Sequence, residues 1–445
     1  NERSSAREIL DENKGTCFPE FFYSFLYDFM EMLNNQENFV LNANNDNISI
    51  SDMKISYIYD NFGLISKLLK FQYSMDESNF SRDDILPMKL NLETMPFNYR
   101  IKQSKFIDDD LQEAALILLN VVTSFSQTLK QVNSKIKCCE LIVALSERIR
   151  DESKLDRAIP YLCLFLDEYI EGAFHQQEGP QTASKVVCMA LYSLTTLLMS
   201  CSYINPINML IFPEYILPKI YNLLTVKSDS SSQRLVNCAV AVCLPYLAAT
   251  AKRFWIMSKA FKNTNNALST LVSPEDAMQS FSNLSLTKDQ LDLKFKEITI
   301  LLLTDSESPV KISLLNNILP LCQFFGQDKT NDIILPHLIS YLNDTDQELR
   351  LAFLSSVLQM GPFIGVLSFE QYILPLLVQT IGDGEQFVVL KVLEIFNMFV
   401  KERLINPRTE FNALDVYKEL LLNSINLLLH PNEWIRQSVI NLIIS

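Results

Sequence analysis

From residue 111 to residue 445, apolar residues recur at three- and four-residue spacing in runs of helical length, and the runs come in pairs split by short polar turns. Segments 111–130 and 135–150 read as the first helical hairpin. Turn markers then repeat at a fixed interval. Asp305 in LLTDSESPVK, Asp344 in YLNDTDQELR and Asp383 in TIGDGEQFVV lie 39 residues apart, as do Pro336 in IILPHL and Pro375 in YILPLL. Two markers sharing one period predict a stacked helical repeat, because each pair buries its apolar face only against a neighbour. Within the unit, Pro suits the first turn of the first helix, and the turn Asp is placed to cap the second helix. Five residues after the Asp comes an apolar position (Val310, Leu349, Val388), and six after comes Lys311, Arg350 or Val389. The stretch His430-Pro431-Asn432-Glu433-Trp434-Ile435-Arg436 repeats these offsets with Ile435 and Arg436.

The expected fold class is therefore all-α: an α-solenoid of HEAT-type helical repeats over 111–445, with about six or seven helical pairs. In such arrays a base after the turn pairs with the Asp of a neighbouring repeat, which makes Asp305, Lys311, Asp344, Arg350, Asp383 and Arg436 the expected structural turn residues. Pro160 and Pro218 start two earlier, less regular pairs, and Arg234-Leu235-Val236 opens the second helix of the latter. Polar insertions at 171–184 and 258–288 read as mobile loops. Residues 1–110 form an irregular helical extension: helices at 18–33 and 54–71, an Asn-rich loop at 34–47, and a connector at 74–110.

Composition narrows the function. Nine glycines in 445 residues leave little for phosphate-cradling loops or β-turns. Lys and Arg number 38 against 52 Asp and Glu, a net −14, which argues against nucleic acid and against an extensive grip on anionic lipid. None of the nine cysteines forms a C-x-x-C pair, and runs such as 138–142 place them in apolar helices, as expected of reduced thiols in a cytosolic protein. No uninterrupted run of about 18 apolar residues occurs. The chain opens at Asn1 without Met and stops within an apolar run, so it reads as part of a larger protein.

Candidate chemistry is sparse, and no catalytic, cofactor or metal residue is expected. His175, His337 and His430 are too scattered to ligate a metal. The Gly382-Asp383-Gly384-Glu385 stretch lacks the spaced oxygens of a calcium loop, and the repeat period already explains its Asp. Asp108-Asp109-Asp110, without a companion base, reads as a helix N-terminus. Lys252 and Arg253 beside Trp255 read as solvent-facing bases with partner contact as the alternative. Trp434 reads as packing between the last repeats, again with a partner-facing alternative.

Several whole runs carry a resemblance beyond periodicity: FPEYILPKI (212–220), FFGQDKTNDIILPHLISYLND (324–344), HPNEWIR (430–436), LDRAIPYL (155–162), ATAKRFW (249–255) and CFPEFFYSFLYDFM (17–30). They resemble the protein-kinase-like regulatory subunit of the class III phosphatidylinositol 3-kinase complex, of the vacuolar-protein-sorting type. The resemblance implies a non-catalytic scaffold segment, with 1–110 following a kinase-like domain and ATP site outside this chain. A WD-repeat propeller and a myristoylated N-terminus are implied for other parts of the protein. The implied partners are the lipid kinase catalytic subunit, a Beclin-type coiled-coil subunit, an autophagy- or endosome-specific subunit, and Rab-type GTPases. The implied location is cytoplasmic, peripheral on endosomal, vacuolar, Golgi or autophagic membranes through other parts of the protein, in autophagy and protein sorting. Lys252, Arg253 and Trp434 are the partner-contact candidates. The alternative is a HEAT adaptor of another complex, a transport receptor or a phosphatase scaffold.

Overall fold

In the computed structural model the described residues are 27–33, 35, 48–63, 65, 109–172, 180–201, 209–226, 230–268, 274–365, 368–401, 418 and 421–444. Of the expectations above, the helix start at 18–26, the loop at 34–47 apart from Asn35, the connector at 74–108 and His175 lie outside them. The chain divides into two compact units, Asn1–Asn208 and Met209–Ser445. The described elements are helices throughout, and no strand occurs among them.

The first unit stacks α1 (Ile50–Asp60) against the pair α2 (Asp109–Ser126) and α3 (Val132–Ser146), followed by α4 (Asp151–Arg157), α5 (Ile159–Ile170) and α6 (Pro180–Ser200). The helix expected at 54–71 begins instead at Ile50, because Ser49 and Asp52 close a capping box there. Asp52 then does more than cap its own helix. Its carboxylate, 1 % exposed, also accepts from Lys130 N at 3.2 Å and Gln131 N at 3.1 Å, at the start of α3. One buried acid thereby satisfies orphan donors on two helices 78 residues apart. The segment before residue 110 is thus partly an integral layer of this unit.

The second unit repeats a more regular pair. Its first helices are α7 (Leu217–Thr225), α9 (Pro274–Leu303), α12 (Leu335–Ser340) and α14 (Leu374–Thr380); its second helices are α8 (Ser230–Leu268), α10 (Ser308–Leu315) with α11 (Leu319–Phe325), α13 (Gln347–Ile364) and α15 (Gln386–Lys401). A last turn at Asn426–Leu429 precedes α16 (Glu433–Ile444). The repeat prolines do not simply open their helices. Leu217, Leu335 and Leu374 each donate five residues back, to Phe212, Thr330 and Phe369, and each is followed by Pro218, Pro336 or Pro375. Proline lacks the N–H and its ring would strike the carbonyl four residues back, so a wider π-turn carries the helix past it.

A further period closes the second helices. Gly326 and Gly365 end α11 and α13 at φ +86° and +93°, the left-handed region that favours glycine. At Gly365 an added Cβ would lie 2.3 Å from the Gln327 amide, whose N–H donates to Ile364 O at 2.9 Å.

Two expectations change. Segment 258–288, expected as a loop, is helical to Leu268 and again from Pro274. Residues 180–184 of the other insertion form the start of α6. Helices 182–200 and 231–259 are long and apolar enough to cross a bilayer, but most of each is buried inside its own unit, where it forms core.

Candidate interaction surface

The repeat turns share one backbone device. Asp305 Oδ1 accepts from Glu307 N at 2.9 Å, Asp344 Oδ1 from Asp346 N at 3.0 Å, and Asp383 Oδ1 from Glu385 N at 2.9 Å. His430 takes the fourth turn, its Nδ1 accepting from Asn432 N at 3.1 Å. These turns sit just before the second helix, so the turn residue orders the approach and leaves the N-cap position to a later residue, which caps through its side chain at α13 but not at α10. At α13 that cap is Asp346, accepting from Glu348 N at 2.9 Å, not Asp344 as the spacing suggested.

The base six residues on clamps the turn. Arg350 donates to Asp344 O at 2.8 Å, and Arg436 to His430 O at 2.7 Å and Pro431 O at 2.8 Å. Arg350 also reaches the next repeat: its Nη2 donates to Asp383 Oδ1 at 3.2 Å, and its Nε lies 3.1 Å from Oδ2 as an ion pair without hydrogen-bond alignment. The expected ladder rung therefore forms at Arg350–Asp383. Lys311 forms no such pair among the described residues; its Nζ sits over the Tyr341 ring at 5.4 Å. Tyr341 is held there by its hydroxyl, which donates to Leu303 O, and burial pushes its pKa up. Asp305 receives Asn237 Nδ2 at 2.9 Å in place of a base.

The two partner-contact bases part company. Lys252, on α8, donates to Gln323 O on α11 and is half-buried. Its neighbour Arg253 is exposed, with its guanidinium 5.8 Å from the Phe254 ring. Trp434 is 65 % exposed, so within this chain it does not pack between repeats as expected. The reason is helical phase: Ile435, Val439 and Leu442 form the buried face of α16, one step round from Trp434.

A feature not singled out from the sequence lies beside Lys252. The ammonium groups of Lys259 and Lys288 sit 5.3 Å and 5.0 Å from the Trp255 ring centroid. Its signal was available: Lys252, Trp255, Ile256 and Lys259 fall at i, i+3, i+4 and i+7 on one face of α8.

No group of three His, Cys, Asp or Glu suited to a metal occurs among the described residues. The described cysteines are buried thiols outside any disulfide, and burial raises Cys138 and Cys322 to about 12 and Cys238 to about 11. Such thiols are poor nucleophiles at neutral pH.

Comparisons with known proteins agree across most of the chain. A family model described as PIK3R4-like, middle domain, matches residues 118–445. A Komagataella pastoris protein named as a serine/threonine-protein kinase VPS15 is 41 % identical over 447 residues, covering 100 % of this chain and 30 % of its own length. Serine/threonine-protein kinase VPS15 of Saccharomyces cerevisiae is 31 % identical over 366 residues, covering 76 % of this chain and 24 % of its own. The chain thus spans under a third of the curated relatives it matches. Among solved structures, that of Cex1p covers 88 % of this chain and 62 % of its own at 15 % identity, with a TM-score of 0.42.

Proposed function

The chain belongs to the PIK3R4-like middle-domain family, and from that premise we propose that it is the scaffold segment of the regulatory subunit of a class III phosphatidylinositol 3-kinase complex. It is the non-kinase middle part of VPS15-like proteins. In this reading it holds the lipid kinase catalytic subunit together with a Beclin-type coiled-coil subunit and an autophagy- or endosome-specific subunit. Rab-type GTPases are further partners, and the setting is autophagy and protein sorting. The complex sits in the cytoplasm, peripheral on endosomal, vacuolar, Golgi or autophagic membranes. Membrane attachment, a propeller and any ATP chemistry belong to parts of the protein outside this chain.

The observation that carries the reading is the built rung at Arg350–Asp383, within a run of repeats locked to one another by polar links about one period apart. A stack stiffened in this way presents its outward side chains in fixed relative positions, as a holder of partners requires. Exposed Tyr372, Phe387 and Trp434 are available for such contacts.

The test is co-expression of tagged 1–445 with the lipid kinase and the coiled-coil subunits. Recovery of both on the tag, resistant to 150 mM salt (about physiological ionic strength), is expected. Recovery of neither, with the chain folded by circular dichroism, would overturn the proposal.

A further inference from the structure

Several of the described lysines on this acidic chain are paired with carboxylates. Lys135 pairs with Glu168, Lys137 with Asp60, Lys154 with Asp151, Lys329 with Asp292 and Lys391 with Glu394. Lys259 and Lys288 differ: both are exposed, and among the described residues neither has a carboxylate partner. Asp289 follows Lys288 in the chain yet pairs with neither lysine. Instead the two ammonium groups share a single indole, at 5.3 Å and 5.0 Å from its centroid, and so stand no more than about 10 Å apart. They come from different helices, Lys259 from α8 and Lys288 from α9, so the Trp255 ring fixes charges from two elements at one spot.

Next to them Ile256 is 51 % exposed, and the buried Trp255 N–H has no acceptor among the described residues. The face therefore offers an apolar centre flanked by two bases that have no carboxylate partner among the described residues. Carboxylates three or four residues apart on a helix lie about 6 Å from one another, a spacing within the reach of these two flexible side chains. A broad anionic bilayer is a poorer match, because the chain as a whole carries −14 and would be repelled by it.

We propose that the Trp255–Ile256–Lys259 stripe of α8, with Lys288 of α9, docks an acidic amphipathic helix of a partner subunit. Its apolar face covers Ile256 and the indole edge, and an acidic pair on its rim meets the two lysines. The inference rests on the scaffold reading for the assembly in which that helix is found.

The experiment uses the full-length protein in the assembled complex, with Ile256→p-benzoylphenylalanine as photo-crosslinker. Crosslinking is expected to a partner segment carrying two acidic residues three or four positions apart. Lys259→Glu with Lys288→Glu should lower the yield about ten-fold. An intact complex with no crosslink, with a crosslink to a segment lacking such a pair, or with a yield unmoved by the charge reversal overturns the docking site and leaves the scaffold reading standing. Crosslinking only to lipid, when phosphatidylserine vesicles are added, overturns it in favour of a membrane. Failure of the unsubstituted complex to assemble overturns the scaffold reading, and this inference with it.

Discussion

Arg350 joins two repeats: it clamps its own turn through Asp344 O at 2.8 Å and pairs with Asp383 of the next turn at 3.1 Å. The side chains are 11 % and 15 % exposed, so the pair is screened less than a surface bridge but still reaches water. Arg350→Ala removes both links. The expected loss is about 1–3 kcal/mol, felt first as faster amide exchange at 344–350 and 383–389. Unchanged protection in both windows would refute a role for this rung. The next repeat has lost both rung members, with Val389 and His430 in the places of base and Asp.

Asp52 is the corresponding joint of the first unit. Asp52→Ala leaves Ser49, Lys130 and Gln131 N–H groups without their acceptor in a buried setting. A loss of about 2–3 kcal/mol is expected, beyond that of an ordinary cap. Thermal melting of the chain and proteolysis at 126–132 measure it; a change below about 0.5 kcal/mol, the usual range for surface positions, would show the bonds to be dispensable.

Much of this was legible beforehand, and the failures have physical causes. The turn aspartates and the apolar positions after them follow from one period, and Val310, Leu349 and Val388 are all fully buried. The Arg350–Asp383 rung was likewise readable, since it joins conserved offsets of neighbouring units within this one sequence. Lys311 was misjudged because spacing cannot show that its ammonium settles over the Tyr341 ring. The helical character of 258–268 and 274–288 was missed because polar residues mask helices that continue from buried helical turns. Asp52 was invisible for another reason: its partners lie 78 residues away, across a segment with no repeat pattern.

Gly365 tests the glycine period. Its φ of +93° and the Gln327 amide 2.3 Å from an added Cβ both oppose a side chain. Gly365→Ala should cost about 1–3 kcal/mol, against a smaller loss for Gly326→Ala, where the same backbone region meets open space. Equal losses in denaturant melts would show that backbone conformation alone matters and that the Gln327 contact does not.

The buried thiols predict a pH dependence. Their folded pKa values of about 11–12 exceed the ordinary 9.0, so folding favours the protonated form. Stability from these groups is intact below the unfolded value and falls as pH rises from there towards the folded values. Chevron or melting data between pH 7 and about 10 should show a decline that Cys138→Ser reduces. At pH 8, iodoacetamide should modify Cys138 and Cys322 only through unfolding; labelling at the rate of a free thiol would contradict their burial.

Lys252 and Arg253 are adjacent in sequence and opposite in consequence. The first donates to Gln323 O, tying α8 to α11 in the following repeat, and sits half-buried; the second points outward beside Phe254. A charged donor lost from a backbone acceptor typically costs about 1–2 kcal/mol, whereas reversing an exposed charge changes stability by less than about 0.5 kcal/mol. Lys252→Met, which keeps the aliphatic stem, should therefore lower the melting temperature, while Arg253→Glu leaves it nearly unchanged. Assembly separates the roles further. If Arg253 meets an acidic partner, its reversal slows association and raises the salt sensitivity of co-purification without any loss of fold. A melting temperature lowered equally by both substitutions would place both bases inside the repeat stack, and the bases facing a partner on this part of α8 and α9 would then be Lys259 and Lys288.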